Sequence, residues 1–435
     1  MRSLLRRPAT MNQPLEAYFG LPSDVKFCKR CVCSNQRPNS RPEFKHTEDA
    51  KTMTINFDDQ GICDACRYHE QKTANISWDQ RKEALGKVCD QFRRHDGRYD
   101  CIVPGSGGKD SVMAAHILKN EFNMHPLTVT WAPHLYTEVG RRNHQRWVDS
   151  GFDNILFSPN GKVHQLMTQH AFKNLLHPFQ PFILGQKNIG AKFAALYDVS
   201  LVFYGESEAE YGNPIQDTET ALRDAKFHMG QNYEEMHIGG TQVKEYIEKH
   251  GLSLADLKPY LPMDPDLFKE KDIEVHYLGY YVKWDPQEAY YFAVEHTGFE
   301  SNEERTEGTY SKYNSIDDKC DPLHYYTTLI KFGISRTTHD ASQEIRNNKI
   351  TREEAVALVN KFETEFPSRF FNDMLEYLDM TKEIFFTTID QFRSPHLWHR
   401  VDNGWRLRHM ASNPTSSDLD TETTADDTTR KTTTV

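Results

Sequence analysis

The chain has 435 residues, of which 37% are hydrophobic and 26% charged, and its 52 Lys and Arg residues against 63 Asp and Glu residues give a formal net charge of -11. This apolar content can bury the core of one large or two ordinary domains, which excludes a wholly disordered or fibrous protein. No apolar run approaches the roughly 20 residues of a membrane helix, and no cationic surplus favours nucleic acid as a partner. The first residues, MRSLLRRPAT, lack the apolar stretch of an export signal, so we expect a cytoplasmic protein with a flexible leader over residues 1–24.

The cysteines are concentrated near the N-terminus, and four of them form two C-x-x-C pairs. The paired residues are Cys28 with Cys31 and Cys63 with Cys66. Two such turns can place four thiolates at the corners of a tetrahedron around Zn²⁺, so the spacing predicts a structural zinc knuckle over residues 25–75. The stretch between the pairs is longer than in most zinc ribbons, which leaves Cys33 as a possible substitute ligand. Redox-active dithiols and incidental buried thiols are the alternatives.

Residues 76–300 alternate between segments typical of helices and of strands. The predicted helices cover residues 76–98, 112–122, 137–151 and 189–199, and the predicted strands cover residues 99–104, 126–132, 154–158, 200–206 and 275–284. Residues 251–274 are interrupted by prolines and irregular. The alternation predicts an α/β fold, in which a doubly wound parallel sheet carries helices on both faces.

A glycine loop, GSGGKDS, joins the first predicted strand to the following helix. Backbone amides and the helix macrodipole converge at such a junction, so the loop predicts a phosphate site. The residues expected to bind the phosphate are Ser106, Gly107, Gly108, Lys109, Asp110 and Ser111. A Walker A motif requires Ser or Thr after the lysine, and Asp110 occupies that position, which argues against a standard P-loop NTPase. An ordinary turn with a helix-capping serine is the alternative.

An acidic segment, GESEAEYGN, follows the predicted strand 200–206. Glu206, Glu208 and Glu210 would lie at the carboxyl edge of the sheet, where doubly wound folds bind ligands. Carboxylates at this edge could hold the Mg²⁺ that accompanies a nucleotide phosphate or could orient an attacking amine. A solvated acidic loop is the alternative. The predicted catalytic residues are Lys109, Asp110, Glu206 and Glu208.

Residues 301–410 are predicted to form a helical substrate or partner region, with helices over 352–366 and 369–393. Two segments before them, 304–319 and 331–355, are rich in polar, aromatic and glycine residues and lack hydrophobic periodicity, which suits a surface that faces a ligand. Arg336 and Arg346 could pair with a carboxylate or phosphate there, or could be exposed charges on a helix. Residues 411–435 contain almost no apolar side chains and are predicted to be a disordered tail.

SGGKDS after a short apolar strand resembles the pyrophosphate-binding loop of the PP-loop ATPases, and residues 76–300 are accordingly assigned to a PP-loop ATPase domain. From about Phe27 to His409 the chain resembles one family within that superfamily, the bacterial N-acetyl sugar amidotransferases of surface-polysaccharide and sialic-acid-like sugar synthesis. The motifs that carry this resemblance are CKRCVCSNQRP, GICDAC, VTWAPHLYTEVGRRN, PFILGQKN, FYGESEAEYGN, ERTEGTYSKY and HYYTTLIKFGISRTTHDASQEIRNNKITREEA. The chain departs from the family at Cys33, which makes the choice of metal ligands less clear, and at Gly105, which we expect to loosen the loop slightly.

The resemblance implies an ATP-dependent enzyme that converts the acetamido group of a nucleotide-linked sugar to an acetamidino group through an adenylated intermediate. ATP, Mg²⁺ and Zn²⁺ are the implied cofactors, and lipopolysaccharide O-antigen or a related surface glycan is the implied product. Ammonia would come from partners that resemble the glutaminase and cyclase subunits of imidazole glycerol phosphate synthase. A PP-loop enzyme that modifies tRNA by thiolation or lysidine formation is the alternative, although the acidic charge balance counts against it. A third possibility is a non-catalytic zinc scaffold for the ammonia-producing partners.

Overall fold

The computed structural model of the chain describes residues 15–40, 42–46, 51–205, 208–213, 220–224, 230, 232–402 and 404–413. Most of the predicted leader and nearly all of the predicted tail lie outside these residues, and the domain boundaries stay predictions. Ala411, at the start of the predicted tail, is buried beside Val359 of the C-terminal region.

Nine strands form one larger sheet and two short ribbons in the described part of the chain. The strands are β1 (Cys101–Pro104), β2 (Pro126–Trp131), β3 (Asp153–Phe157), β4 (Leu201–Tyr204), β5 (His237–Ile238), β6 (Thr241–Gln242), β7 (Glu274–Tyr277), β8 (Trp398–Val401) and β9 (Gly404–Leu407). The larger sheet is parallel throughout, with the order β3-β2-β1-β4-β7, while β5-β6 and β8-β9 are antiparallel pairs. The chain changes direction across the sheet between β1 and β4, and the crevice at the carboxyl ends of these two strands is where such folds bind ligands.

Sixteen α-helices accompany the strands in the described residues. They are α1 (Asp64–Ala74), α2 (Trp78–Phe92), α3 (Lys109–His116), α4 (Glu138–Asp149), α5 (Gly161–Leu175), α6 (Gln180–Tyr197), α7 (Val243–His250), α8 (Leu254–Leu257), α9 (Pro265–Glu270), α10 (Leu278–Tyr281), α11 (Pro286–Thr297), α12 (Asp321–Phe332), α13 (Arg336–Arg346), α14 (Arg352–Phe362), α15 (Phe371–Leu378) and α16 (Lys382–Asp390). A π-helical turn, Ile117–Glu121, continues α3, and Glu208–Tyr211 forms a 3-10 turn after β4. None of the described helices combines the length and the apolar composition needed to cross a bilayer.

Helices cover both faces of the larger sheet, which confirms the predicted α/β fold class. Alternate residues of a strand point to opposite faces. Ile102 and Val202 therefore enter the core beneath α6, and Val103 and Phe203 enter the core that contains α3 and α11.

Several elements differ from the sequence predictions for tertiary reasons. The run 275–284 was expected to be one strand because it is rich in aromatic and β-branched residues. Its strand ends at Tyr277, since the amide of Gly279 donates to the carbonyl of Gly205 (2.8 Å) and turns the chain into α10. The single helix expected over 369–393 is divided at Asp379, which has a left-handed φ of 49°, into α15 and α16. Helix α6 begins well before the predicted start at 189, and α5 was not predicted.

The cysteine-bearing N-terminal segment packs against the C-terminal region. Val32 lies in a small apolar cluster with Ala341 of α13 and with Ala355 and Val359 of α14. The C-terminal hairpin of β8 and β9 also contributes to the core, where Trp398 packs with residues of α12 and α15. Leu21 and Val25 belong to the same cluster, so segments near the two ends of the described chain pack together.

Candidate active site and metal centre

The glycine loop crosses from the end of β1 to the start of α3 and packs tightly on its neighbours. Gly107 has a left-handed φ of 82°, and a Cβ there would lie 2.8 Å from the Cα of His144 in α4. A Cβ at Gly105 would lie 2.1 Å from the Cβ of Ser111. The expectation that Gly105 loosens the loop is therefore wrong, because its missing side chain lets the loop close against the first turn of α3.

The first turn of α3 offers backbone amides to a ligand. The first intrahelical hydrogen bond runs from the amide of Val112 to the carbonyl of Gly108 (3.0 Å), so the amides of Lys109, Asp110 and Ser111 precede it and have no acceptor within the helix. The Ser111 hydroxyl already donates to the Gly108 carbonyl (3.0 Å). In this structure the amides, rather than that hydroxyl, are the donors available to an anion.

Lys109 and Asp110 form an ion pair at the start of α3. The Lys109 Nζ donates to Asp110 Oδ2 (2.5 Å) and lies 5.6 Å from the centre of the Trp284 ring. The indole Nε1 of Trp284 donates to the other Asp110 oxygen, Oδ1 (2.7 Å). Both oxygens of the Asp110 carboxylate are therefore fixed, and its orientation depends on a residue distant in sequence.

The loop opens into a cavity of 280 Å³ whose far wall comes from the C-terminal region. Ser106, Gly107, Gly108, Lys109 and Asp110 line the near side. The residues of the far wall are Tyr313, Asn314, Ser315, Ile316, Asp317, Asp318, Asp321, Arg336, His339, Asp340 and Gln343. The sequence predicts that segments 304–319 and 331–355 face a ligand. In the structure these segments line one side of the cavity, and the glycine loop lines the opposite side.

Three carboxyl groups of the far wall, those of Asp317, Asp318 and Asp321, influence one another electrostatically. Asp318 is anchored because it accepts hydrogen bonds from the amide of His134 (2.6 Å) and from its ring Nδ1 (3.0 Å). Burial raises the pKa of Asp317, against an opposing hydrogen bond from Ser106. Burial, with repulsion from Asp317 and Asp318, also raises the pKa of Asp321 well above its ordinary value. The raised pKa values mean that ionisation of Asp317 and Asp321 is unfavourable here, because the described protein groups supply too little positive charge to stabilise both carboxylates.

A second cavity, also of 280 Å³, lies on the other side of the loop. It is bounded by the carboxyl ends of β1, β4 and β7, and its lining includes Ser111, Tyr204, Arg223 and Tyr277. Ser106, Gly108, Asp110, Gln186 and Tyr211 line both cavities. The glycine loop and the turn after β4 therefore lie between the two cavities, and residues of the loop line both of them.

The acidic segment after β4 is only partly described. Glu206 and the side chain of Glu208 lie outside the described residues, so their predicted roles stay predictions. Glu210 is buried and forms an ion pair with Lys72 of α1. The carboxylate of Glu210 is thus bound by another residue of the protein. It is neither exposed to solvent nor directed at a ligand, as the two predictions for this segment had suggested.

The two arginines singled out from the sequence have different surroundings. Arg336 lines the first cavity, where its Nε donates to Asp340 (2.8 Å) and its Nη1 donates to the hydroxyl of Tyr325 (2.7 Å). Arg346 is buried, with 5% of its surface exposed, and its Nη2 donates to the carbonyl of Glu210 (3.2 Å). Arg346 is therefore neither an exposed charge nor a ligand of the cavity.

The four paired cysteines converge as the spacing predicts. Their sulfur atoms all lie within 4.8 Å of one another and are buried. The Sγ atoms of Cys28 and Cys66 are 4.0 Å apart, and those of Cys31 and Cys63 are 3.7 Å apart. Cys33 is outside this group, and its thiol donates to the carbonyl of Ser34 (3.5 Å). The four thiols form a metal-binding arrangement that does not require the substitute ligand considered from the sequence.

A chain of buried contacts connects the metal centre to the glycine loop. Lys72, on the helix that begins beside Cys63, donates to the carbonyl of Trp284 (2.7 Å) as well as to Glu210. Trp284 in turn holds Asp110. On the other side of the centre, the charges of the cysteines raise the pKa of Arg346 against the effect of its burial. The metal centre therefore lies directly behind the cavity walls.

Trp284, His339 and the three aspartates of the far wall were not individually predicted. Trp284 was assigned to the end of a strand. Asp317, Asp318 and Asp321 lie in or beside a segment that is predicted to face a ligand. Three aspartates within five residues were the sequence feature that could have identified them. His339 stands in the second such segment, where only the arginines were considered.

The described structure is an α/β protein with a parallel sheet, a glycine loop at its first β-α junction and a cluster of four cysteines. Residues 307–411 match the family model described as LPS biosynthesis protein WbpG-like, C-terminal domain. This part of the chain is therefore similar to a domain of lipopolysaccharide biosynthesis proteins, which supports the resemblance to a surface-glycan family.

Two further comparisons are more limited. MJ1599, an uncharacterised protein of Methanocaldococcus jannaschii, is 33% identical over 84 residues, which is 19% of this chain, and the match spans 29% of the length of that curated relative. The solved structure of the U34-tRNA thiolase NcsA from Methanococcus maripaludis with its [4Fe-4S] cluster is 10% identical and covers 74% of this chain and 90% of its own, with a TM-score of 0.29. A likeness at that score carries no argument about the site.

Proposed function

We propose that the chain is an ATP-dependent N-acetyl sugar amidotransferase of lipopolysaccharide O-antigen or related surface-glycan synthesis. One observation carries the proposal: the free amides of the glycine loop face the polar wall of a WbpG-like domain across a single cavity. The amides suit the pyrophosphate part of ATP, and the wall offers the donors and acceptors that a sugar needs.

The proposed reaction has two steps. The acetamido oxygen of the sugar attacks the α-phosphorus of ATP and pyrophosphate leaves, because an amide carbonyl is a poor electrophile until its oxygen becomes part of a leaving group. Ammonia then adds to the activated carbon, and AMP departs with the electrons of the C–O bond. In the first step the residues of this chain bind and orient: the amides at the start of α3 stabilise the charge of the pyrophosphate, and Lys109 adds a positive charge beside it.

Carboxylates of the far wall would hold the Mg²⁺ that accompanies ATP. The pKa values of Asp317 and Asp321 are raised, so their ionised forms lack a sufficient counter-charge, and a bound cation would supply it. Mg²⁺ keeps several waters and binds through one or two carboxylates together with phosphate oxygens, so one or two of these aspartates are sufficient.

The four-cysteine centre is proposed to hold one structural Zn²⁺. Four sulfurs at about 2.3 Å from a central zinc lie about 3.8 Å apart at the corners of a tetrahedron. The sulfur separations of 3.7 and 4.0 Å match this value. A four-iron cluster would separate the thiolates further, because its irons and sulfides lie between them. Arg346 is placed to offset the net negative charge of a zinc bound by four thiolates.

Ammonia is proposed to come from separate glutaminase and cyclase-like partners. Of the cysteines outside the zinc module, Cys320 lies nearest to the cavity wall in sequence, but it is fully buried, and burial raises the pKa of its thiol well above the ordinary value. A thiol in this state is unsuited to the nucleophilic attack that glutamine hydrolysis requires.

The proposal is tested with purified protein, ATP, Mg²⁺, ammonium and a UDP-linked diacetamido uronic acid. We expect AMP and pyrophosphate in equal amounts and a sugar product one mass unit lighter, as oxygen is replaced by NH. Asp110→Asn should reduce product formation strongly, and Asp90→Asn, on the exposed surface of α2, should leave it unchanged. ADP as the nucleotide product, or full activity of Asp110→Asn, would refute the mechanism.

The tRNA-modifying alternative gains no specific support from the geometry of the described residues. Its substrate would be recognised through phosphate contacts, and the acidic charge balance opposes them. Tight, salt-sensitive binding of tRNA, together with the absence of sugar-dependent AMP release, would favour this alternative over the amidotransferase.

A further inference from the structure

His339 belongs to a helix face that is directed at the cavity. Along α13, the residues Arg336, His339, Asp340 and Gln343 follow the spacing of one helical face, and all four line the first cavity. The opposite side of α13 is packed, since Ala341 is buried with Val32 of the zinc module. Packing on the side of α13 that is turned away from the cavity therefore fixes the helix and, with it, the position of His339.

The charged side chains of this face have protein partners, whereas the imidazole has none among the described residues. Asp340 accepts hydrogen bonds from Arg336, from the hydroxyl of Thr309 (2.7 Å) and from the side-chain Nδ2 of Asn314 (3.2 Å). No hydrogen bond from either ring nitrogen of His339 to a described residue is present, and the side chain is half-buried with its remaining surface in the cavity wall. A ring nitrogen with a free lone pair is thus available to a bound molecule.

The surroundings of His339 keep its imidazole neutral. Burial lowers its pKa well below the ordinary value, and positive charge adds to this effect from Arg37 of the zinc module and from Arg336 and Arg346 of its own helix. His324 of α12 acts in the same direction. The carboxylates of Asp317 and Asp321 face the same cavity from the neighbouring segment. A neutral imidazole at neutral pH can accept a proton.

We propose that His339 accepts the proton that the incoming ammonia must lose in the second step of the reaction. This role rests on the proposed function. Ammonia forms a C–N bond to the adenylated carbon and acquires a positive charge, and the imidazole removes one N–H proton. The C–O bond then breaks, AMP leaves with its electron pair, and the remaining nitrogen lone pairs form the amidinium. The proton stays on the imidazolium until water removes it, so atoms and charge balance without a further reactant.

The experiment separates the two steps with His339→Gln. Exchange of radiolabelled pyrophosphate into ATP, measured with the UDP-linked diacetamido uronic acid and without ammonium, reports the first step. We expect this exchange to stay within about twofold of the wild-type rate, while amidine formation falls by about a hundredfold or more. Replacing ammonium by hydroxylamine should shrink the deficit, because the adduct of this weaker base gives up its proton to water more readily.

His296→Gln, on the exposed side of α11, serves as the control and should match the wild type in both measurements. An equal loss of exchange and amidine formation in His339→Gln, or a deficit that hydroxylamine leaves unchanged, would assign His339 a structural role and overturn the proposal. Full amidine formation would overturn it as well. Wild-type protein that neither exchanges pyrophosphate nor releases AMP would instead refute the proposed function.

Discussion

Gly107 lies where the loop between β1 and α3 passes the backbone of α4. Two separate constraints act on it: a left-handed φ of 82°, and a Cβ position 2.8 Å from the Cα of His144. The first constraint disfavours any L side chain, and the second would require a helix backbone to move. The loop can therefore pack closely against α4 only because the residue at position 107 has no side chain.

Gly107→Ala should destabilise the protein more than Gly97→Ala. Gly97 has nearly the same φ, 81°, but nothing lies within 4 Å of its Cβ position. We expect the alanine at 97 to cost about 1–2 kcal/mol of unfolding free energy for the left-handed backbone alone, and the alanine at 107 to cost clearly more. Urea denaturation of both variants provides the measurement. Equal losses would show that the approach of the loop to α4 is unimportant.

Helix α13 connects the cavity to the four-cysteine module, and the groups that cap its N-terminus come from another helix. The side chain of its N-cap residue, Ser335, makes no capping hydrogen bond. Glu363, just after α14, instead accepts the amides of Ser335 and Thr338, the latter at 2.9 Å, and the Thr338 hydroxyl at 2.7 Å. The face that carries His339 is thus oriented by a buried carboxylate from another helix.

Glu363→Gln should remove a pH dependence of stability. Burial raises the pKa of Glu363 from 4.5 to about 7, so the folded protein retains a proton that the unfolded chain releases. The stability of the wild type relative to the variant should therefore fall as pH rises from about 4.5 to about 7, by at most about 3 kcal/mol, and stay constant above that range. Urea denaturation across this pH range measures the difference.

Glu365→Gln is the matched control and should show the opposite sign. A hydrogen bond from Arg305 holds the pKa of Glu365 below its ordinary value, so its contribution is present at neutral pH and is lost as pH falls through the folded pKa. A stability difference for Glu363→Gln that is flat, or that grows with pH, would contradict the assignment of a raised pKa.

At the scale of the whole molecule, the four-cysteine module supports the cavity rather than forming a separate appendage. It packs on α13 through Val32, and through Lys72 it reaches Trp284, which orients Asp110. Loss of a metal bound by the four cysteines should therefore affect the glycine loop as well as the N-terminal segment, because buried contacts join the two.

Cys31→Ala should abolish metal binding, whereas Cys33→Ala should retain one zinc per chain. Both residues are buried, but only the first belongs to the four-sulfur group. Elemental analysis of the purified variants measures the metal, and thermal unfolding with and without a chelator measures its contribution to stability. We expect Cys31→Ala and the chelated wild type to unfold at similarly lowered temperatures. Metal loss in Cys33→Ala would show that the ligand set differs from the one assigned.

The sequence predicted the features that depend on residues close together along the chain. The C-x-x-C pairs defined all four sulfurs, and the strand-loop-helix pattern located the phosphate-type loop, since each of these requires only local geometry. Element boundaries were less predictable, because the aromatic run after Val275 is compatible with a strand until the contact of Gly279 with Gly205 turns it.

The sequence by itself therefore determined the fold class, the four cysteines that cluster and the position of the glycine loop. Only the tertiary structure decided that Asp317 and His339 face that loop, that Glu210 and Arg346 are used internally, and that Trp284 orients Asp110. The physical reason is that a side chain's charge state and direction depend on which distant residues bury it, and no local pattern of residues records that packing.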